Sequence, residues 1–491
     1  TIMGTNGDNF TFYMIPQVLT GNGVSVYVHC TDGTEITVPL KGEWKAGTTR
    51  TYKLSQTNST WTYVLTATNP GRAANYNETQ SQSYGITSYR QAPDNTKQAV
   101  AWEVIGYDAN DDGNFSMTEK PAWLTKLSKT EGKGGTSADR GNATLTKAEV
   151  IDYLKLRNDE LKNAAALGSA TAPYDLSLHD YKGNPTARNT ANSYLIFAPG
   201  HYRIPLVYGN AIENGATYDK AYISHAPTGT PKESNILRNF KDHAGNNIDN
   251  PWIEKTNGGA NAGVDGAEIV WADAADLIHL SASPIVHNGG DAFLDFEVKE
   301  SDITSGNAVV AVKKGNTVVW SWHLWFAPKD ALNTIRVTNH QGVNYDFTKE
   351  TLGWKPTQWI ATTYDKPRTV KVKVKQVLAN GGVKQETVIN ITQNPGIVRK
   401  GVATLYQWGR KDAFPGIATT ELKAGSITEG FSGNVTVVNN ILNPDKFYSY
   451  DSPSIYATYM YFNLWSADNT ITGGSNIGND NPVVKTVYDP S

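Results

Sequence analysis

Cysteine is almost missing: Cys30 is the only one in 491 residues. A disulfide framework within the chain is therefore excluded, and so is a cysteine-based zinc site. Cys30 lies in Val26-Tyr27-Val28-His29-Cys30, which alternates like a strand, so a small buried residue is favoured over a nucleophile. A charge excess is missing too. The 44 basic residues stand against 47 acidic ones, a net charge of −3, and no electrostatic footprint for nucleic acid results. No run of 18 apolar residues occurs, which excludes a membrane-spanning helix. Methionine is scarce (4), whereas Trp (13), Tyr (25), Gly (44) and Pro (22) are plentiful. That balance suits a turn-rich, β-dominated chain of about three domains.

Enzymatic signatures are equally thin. The chain has no Gly-x-Ser-x-Gly elbow, no Walker loop and no Gly-x-Gly-x-x-Gly after a strand. No two of the nine histidines lie within four residues of each other, so no local zinc-ligand pair exists. Asp291, Asp295 and Glu297 share one face of an expected strand, with Leu294, Phe296 and Val298 on the other. Two carboxylates are enough for glycoside hydrolysis. The same alternation is what any half-exposed strand needs, and that reading is preferred. His323, between Trp322 and Trp325, reads as a core or interface histidine with both nitrogens satisfied.

What is present is strand after strand. Segments 10–15, 24–28, 36–38 and 51–54 are short strands separated by turn signals. Four strands cannot cover two sheet faces, so this part is expected to be the end of a sandwich whose beginning is absent. The polar stretch 69–96 reads as a linker or long loop. A helix is expected over 146–167, with Thr146 and Glu149 at capping-box spacing, a stripe of Val150, Ile151, Leu154, Leu161 and Ala165, and Gly168 at its end. Strands return from about 190 to 330. Val318–Phe326 carries large residues on both faces, which predicts a central strand covered on each side. Thr369–Gln393 is a hairpin around Asn380-Gly381-Gly382. Its row Lys371, Lys373, Lys375 reads as a solvated face or a protected edge. From Tyr406 the chain is irregular, aromatic and charged.

One stretch fits a ligand template over its full length. Residues 108–119, DANDDGNFSMTE, match the twelve-residue calcium loop, with oxygen-bearing residues at positions 1, 3, 5, 9 and 12 and Gly at position 6. Calcium would take side-chain oxygens from Asp108, Asn110, Asp112 and Glu119 and the backbone carbonyl of Asn114. The flanks are a strand and Pro121 rather than two helices, so an ordinary hairpin end explains the same composition.

Several strings resemble the fimbrillin family, the surface pilus subunits of anaerobic gut and oral bacteria, and its large tip-like or accessory members in particular. They are FYMIPQVL (12–19), WKAGTTRTYKL (44–54), NSYLIFAPGHYRIPLVYGNAI (192–212), GNAVVAVKKGNTVVWSWHLWF (306–326), LGWKP (352–356), ITQNPG (391–396), LYQWGRKDAFPG (405–416) and NLWSADNTITG (463–473). The resemblance implies an exported lipoprotein, cut to a mature form and displayed outside the outer membrane in a fimbrium. It implies partners that are other pilus subunits, joined by donor-strand exchange, and a host or bacterial surface ligand or glycan. It carries no catalytic residues. The family's lipidated segment normally precedes FYMIPQ, and KTVYDPS (485–491) normally runs on, so a fragment or processed form is expected.

The expected fold is mainly β: tandem β-sandwich domains, one short helix and an irregular C-terminal α+β region. Residues 1–68 would be the C-terminal part of a fimbrillin-like β-sandwich, 69–98 a linker, 99–396 a large β-sandwich with insertions, and 397–491 an incomplete C-terminal region. A structural and adhesive role follows. The alternative is a non-catalytic glycan-binding protein with Trp408 and Trp465 as sugar platforms; a glycoside hydrolase ranks third.

Overall fold

The computed structural model describes residues 11–19, 24–29, 35–52, 61–92, 95–229, 233–377, 383–407, 409–433, 435–449, 461, 463–466 and 484–491. Cys30, Asn380-Gly381-Gly382 and Trp408 lie outside them. Strand outweighs helix, 45% to 10%, so the chain is mainly β, as expected. Contacts group it into two units, Thr1–Ile151 with Ala361–Ile397, and Asp152–Ile360 with Val398–Ser491.

The first unit is a two-sheet sandwich. One sheet runs in the order Glu131–Gly132, Ala101–Asp108, Arg368–Val377, Val383–Gln393. The other runs Thr62–Thr68, Gln80–Gln91, Gly135–Leu145, Leu124–Leu127. Alternation supplies the core: Trp102, Val104, Val370, Val372, Val374, Ile389 and Ile391 meet Tyr84, Ile86, Leu124, Ala143 and Leu145. Gln376 is fully buried, and its amide spans the sheets by donating to the Val64 carbonyl (2.9 Å) and to Ser88 Oγ (3.1 Å).

Several boundaries differ from the sequence reading. The expected linker 69–98 holds the twelve-residue strand Gln80–Gln91, paired on both sides. Its apolar signal is only Tyr84 and Ile86 on the inner face, so polar composition hid a strand that pairing secures. The segment 99–396 is not one domain. Arg368–Val377 hydrogen-bonds to Ala101–Asp108, which draws Ala361–Ile397 into the first unit. That strand is also central, so its lysines are not an edge device. They are a solvated row, with Lys371 paired to Asp111, Lys373 to Glu386 and Lys375 to Glu103. Ahead of Trp61, Gln17–Leu19 pairs with Gly42–Trp44 and Ser25–His29 with Glu35–Pro39, two separate two-stranded pieces. The strand expected up to Pro16 begins after it instead.

The second unit is the larger sandwich. Its five-stranded sheet has the order Ser193–Ile196, Thr317–Phe326, Gly306–Lys314, Gly266–Ala272, Ala424–Gly425. Its four-stranded sheet has Tyr174–Asp175, Gly200–Pro205, Asp291–Val298, Ile285–Asn288. Trp320, Trp322, Leu324 and Phe326 pack against Tyr202, Ile204, Leu294, Phe296 and Val298. The opposite face of the same strand is buried as well, under residues 404–427 and around Leu352 and Trp354. The expectation of a doubly covered central strand holds.

The helix spans Tyr153–Asn163, shorter than 146–167. Asp152, not Thr146, caps it by accepting from the Lys155 N–H, because Val150–Asp152 is a strand. The residues it buries are Leu161 and, outside the expected stripe, Arg157. Arg157 makes a two-pronged ion pair with the buried Glu350, 2.7 Å at each prong, and donates to Ser305 Oγ. Arg157→Ala strands the Glu350 carboxylate, with Arg399 at 3.9 Å as its remaining cation. A loss of about 3 kcal/mol in denaturant unfolding is expected, most of it recovered when both residues become Met.

Candidate functional site

The loop 108–119 hangs from the last residue of a core strand. Asp108 ends Ala101–Asp108 and is 1% exposed. Backbone bonds between Tyr107 and Ser116, 3.0 Å in each direction, close the loop at its neck. Inside it, the Asp108 carboxylate accepts from the N–H groups of Asp111 (2.7 Å) and Gly113 (3.1 Å). The Asp112 carboxylate accepts from Asn114 N–H at 2.8 Å. That bond holds the Asp112 carboxyl below the usual carboxylate range. Asp111 and Gly113 both have positive φ, 61° and 82°, as the reversal demands; Gly113 adopts it without a Cβ clash. A single turn, Met117–Glu119, then swings Glu119 back.

Carboxylate oxygens of Asp108, Asp112 and Glu119 consequently lie within 4.8 Å of one another. Glu119 Oε2 is buried and makes no hydrogen bond. Three converging negative charges repel unless a cation or protons intervene. A hard divalent ion with oxygen ligands at about 2.3–2.6 Å would suit this spacing. The structure thus brings together the three carboxylates among the five residues named from the sequence. Asn110 adjoins this cluster, its side chain accepting from Asp112 N–H and donating to the Asp112 carboxylate. Asn114 contributes its N–H to Asp112. No helix flanks the loop, in keeping with the sequence reading.

The carboxylates on Asp291–Val298 are half-buried on one face beside Phe293, and Ala292, Leu294, Phe296 and Val298 alternate inward. Asp291 pairs with Lys255 at 2.5 Å, and Asp295 is clasped by Arg203 through two 2.7 Å bonds. Trp465 donates its indole N–H to the Tyr488 carbonyl at 2.9 Å.

The second unit holds a polar network that sequence reasoning missed. Arg410, Lys411 and Asp412 are all buried, at 3% exposure or less. Lys411 Nζ donates to Asp412 (2.6 Å) and to the Ser321 carbonyl (3.0 Å), above the Trp320 ring at 4.5 Å. Ser321 Oγ donates to Asp412 at 2.6 Å. Burial pushes the Asp412 carboxyl upward, but attraction to Lys411 and Arg410 outweighs it and the net shift is down. The available signal was three successive charges between Trp408-Gly409 and Ala413-Phe414.

His323 sits beside this network. Asn307 donates its amide to Asp273 (3.0 Å) and to the Gly353 carbonyl (2.9 Å), which leaves its oxygen to accept from His323 Nε2–H at 3.0 Å. Nδ1 accepts from Tyr406 OH at 3.1 Å. Ser193, 3.3 Å from Nδ1, donates its hydroxyl to the Pro490 carbonyl. A serine, a histidine and an amide therefore adjoin, yet the hydroxyl is committed to a carbonyl and the imidazole is buried. Both ring nitrogens are satisfied, as expected from the sequence.

Comparison with protein-family models, with curated proteins and with solved structures finds no match for this chain.

Two outcomes are expected. Calcium at a hundredfold excess over Kd stabilises the chain by about 2.7 kcal/mol. Chelation then lowers the melting temperature, and Asp112→Ala removes that response; a melting curve indifferent to chelator assigns the loop to hairpin closure alone. The second outcome concerns pH. Burial pushes the His323 imidazole from 6.5 down to about 3. Well above pH 6.5 neither folded nor unfolded histidine is protonated, and stability is unaffected. As pH falls below that value only the unfolded chain takes up the proton, so stability drops, by about 2 kcal/mol at pH 5. The melting-temperature difference between pH 7.5 and pH 5 should shrink in His323→Gln.

Proposed function

We propose that this chain is a structural and adhesive cell-surface protein of fimbrillin type, a pilus tip or accessory subunit that assembles by strand exchange. The observation that carries the reading is the segment FYMI. Phe12, Met14 and Ile15 are more than half exposed and Tyr13 is fully exposed, in a stretch that belongs to no described sheet. Four large apolar side chains in water are a liability unless another sheet receives them. This stretch opens FYMIPQVL, one of the strings that resemble the family.

Other features support a mechanical rather than a catalytic role. The unit cores are sandwiches, and two of the three candidate carboxylates, Asp291 and Asp295, are paired with Lys255 and Arg203. The cation-ready loop suits an extracellular setting, where millimolar calcium fills even weak sites.

Immunogold labelling of cells producing the full-length protein is expected to mark filaments. Tyr13→Asp with Ile15→Asp should cut filament incorporation at least several-fold without lowering the melting temperature, since both side chains are exposed. Label spread over the cell body with bare filaments would refute the assignment. Polysaccharide turnover that Asp291→Asn or Glu297→Gln abolishes would replace it with a hydrolase.

A further inference from the structure

Residues 334–348 form a hairpin that belongs to no larger sheet. Among the described residues, Thr334–Thr338 and Asn344–Thr348 pair only with each other. Its base is tied down by Lys349 N–H to the Asn333 carbonyl (2.8 Å) and Glu350 N–H to the Ala331 carbonyl (2.9 Å). The turn at its tip is closed by Asn339, whose side-chain oxygen accepts from Gln341 and Val343 N–H.

The two faces differ completely. One carries Thr334, Arg336, Thr338, Asn344, Asp346 and Thr348. Its polar groups bond among themselves: Arg336 clasps Asp346 through two 2.8 Å bonds, and Thr338 donates to Asn344 at 2.7 Å. The other face carries Ile335 opposite Phe347 and Val337 opposite Tyr345, with Val343 extending the row. These five are 52%, 57%, 47%, 48% and 47% exposed, in that order. Strict alternation of this kind reserves one face for burial, and here that face is bare. A lone two-stranded hairpin is marginal in water, so the covering has a thermodynamic reason as well.

We propose that the apolar face of this hairpin is a self-association surface that packs against the same face of a second copy of this chain. Area and charge argue for that occupant. Five side chains about half exposed present on the order of 500 Å² of apolar surface, at the upper end of what a single soluble chain leaves open. Two such faces together bury about 1,000 Å², the least that a specific interface needs, and only a partner covering the whole face reaches it. A like face does so under a two-fold axis, because a self-complementary patch serves both copies. Charge adds no other preference. Arg336 and Asp346 cancel on the far face, and Lys349 pairs with Asp330 at the base. The patch therefore lacks the cationic rim that an anionic lipid surface would select.

The test is sedimentation of the full chain from about 1 to about 100 µM, the range where an interface this small associates. The wild type is expected to pass from monomer to dimer. Val337→Lys, on the bare face, should keep it monomeric to concentrations at least tenfold higher, with an unchanged melting temperature. Thr338→Lys, on the polar face, should leave dimerisation as it was. A wild type that stays monomeric throughout overturns the proposal, and so does a dimer indifferent to Val337→Lys. A lower melting temperature in monomeric Val337→Lys would mean that the face is covered by its own chain. Capture of monomeric wild type, but not Val337→Lys, by phosphatidylcholine vesicles or a polysaccharide would assign the face to that ligand instead.

Discussion

The second unit is organised by one desolvation problem. Thr317–Phe326 is buried on both faces, so each polar group it carries must find a partner inside the protein. Ser321 takes Asp412 and Lys411, His323 takes Asn307 and Tyr406, and Trp325 takes the Trp354 carbonyl. Trp320 takes Asn192, whose amide in turn holds the carbonyls of Val487 and Asp489. Much of the irregular chain beyond residue 398 is placed by these demands. Arg410 and Lys411 share one carboxylate, and backbone carbonyls of Lys446, Asn443 and Ser321 accept from them as well, while Arg410 Nε is buried without a partner among the described residues. A half-satisfied version of this network would be worse than an apolar core, so its members stand or fall together.

The first unit answers a simpler demand, two sheets covering one core, with a polar consequence at one end. The strand Ala101–Asp108 runs out of the sandwich still buried, so its last carboxylate sits beneath the loop that follows. Asp111 and Gly113 fold their N–H groups back onto Asp108, and that fold brings Asp112 and Glu119 to the same place. Lys371, on the neighbouring strand, takes Asp111 outward and away from the cluster. Loop chemistry and core registry are therefore one feature. A register slip of a single residue would turn Asp108 to the other face of its sheet and disperse the carboxylates.

Both surfaces offered for assembly come from sheet physics. Among the described residues FYMI belongs to no sheet, and the hairpin 334–348 has a sheet too narrow to hide one of its faces. In the proposed assemblies FYMI would add a strand to another sheet, and the hairpin would stack its bare face on a like one.

Local pattern was enough to read much of this. Alternation marked Asp291–Val298 as half-exposed, and large residues on both faces marked Val318–Phe326 as central. The twelve-residue spacing placed Asp108, Asp112 and Glu119 in one loop. Those inferences need only the period-2 geometry of a strand and the valence of a turn, which neighbouring residues encode. Pairing between distant segments was not legible. Nothing near Gln80–Gln91 declares a strand, because its hydrogen bonds go to residues 62–68 and 135–145 and its inner face needs few apolar groups. Nothing near Arg368 says that it returns to Ala101–Asp108 and so divides the chain into units after residues 151, 360 and 397. The buried role of Arg157, and of Arg410 to Asp412, also depended on the tertiary fold. A charge reads as solvent-facing until its partners, Glu350 193 residues away and Ser321 90 residues away, remove it from water.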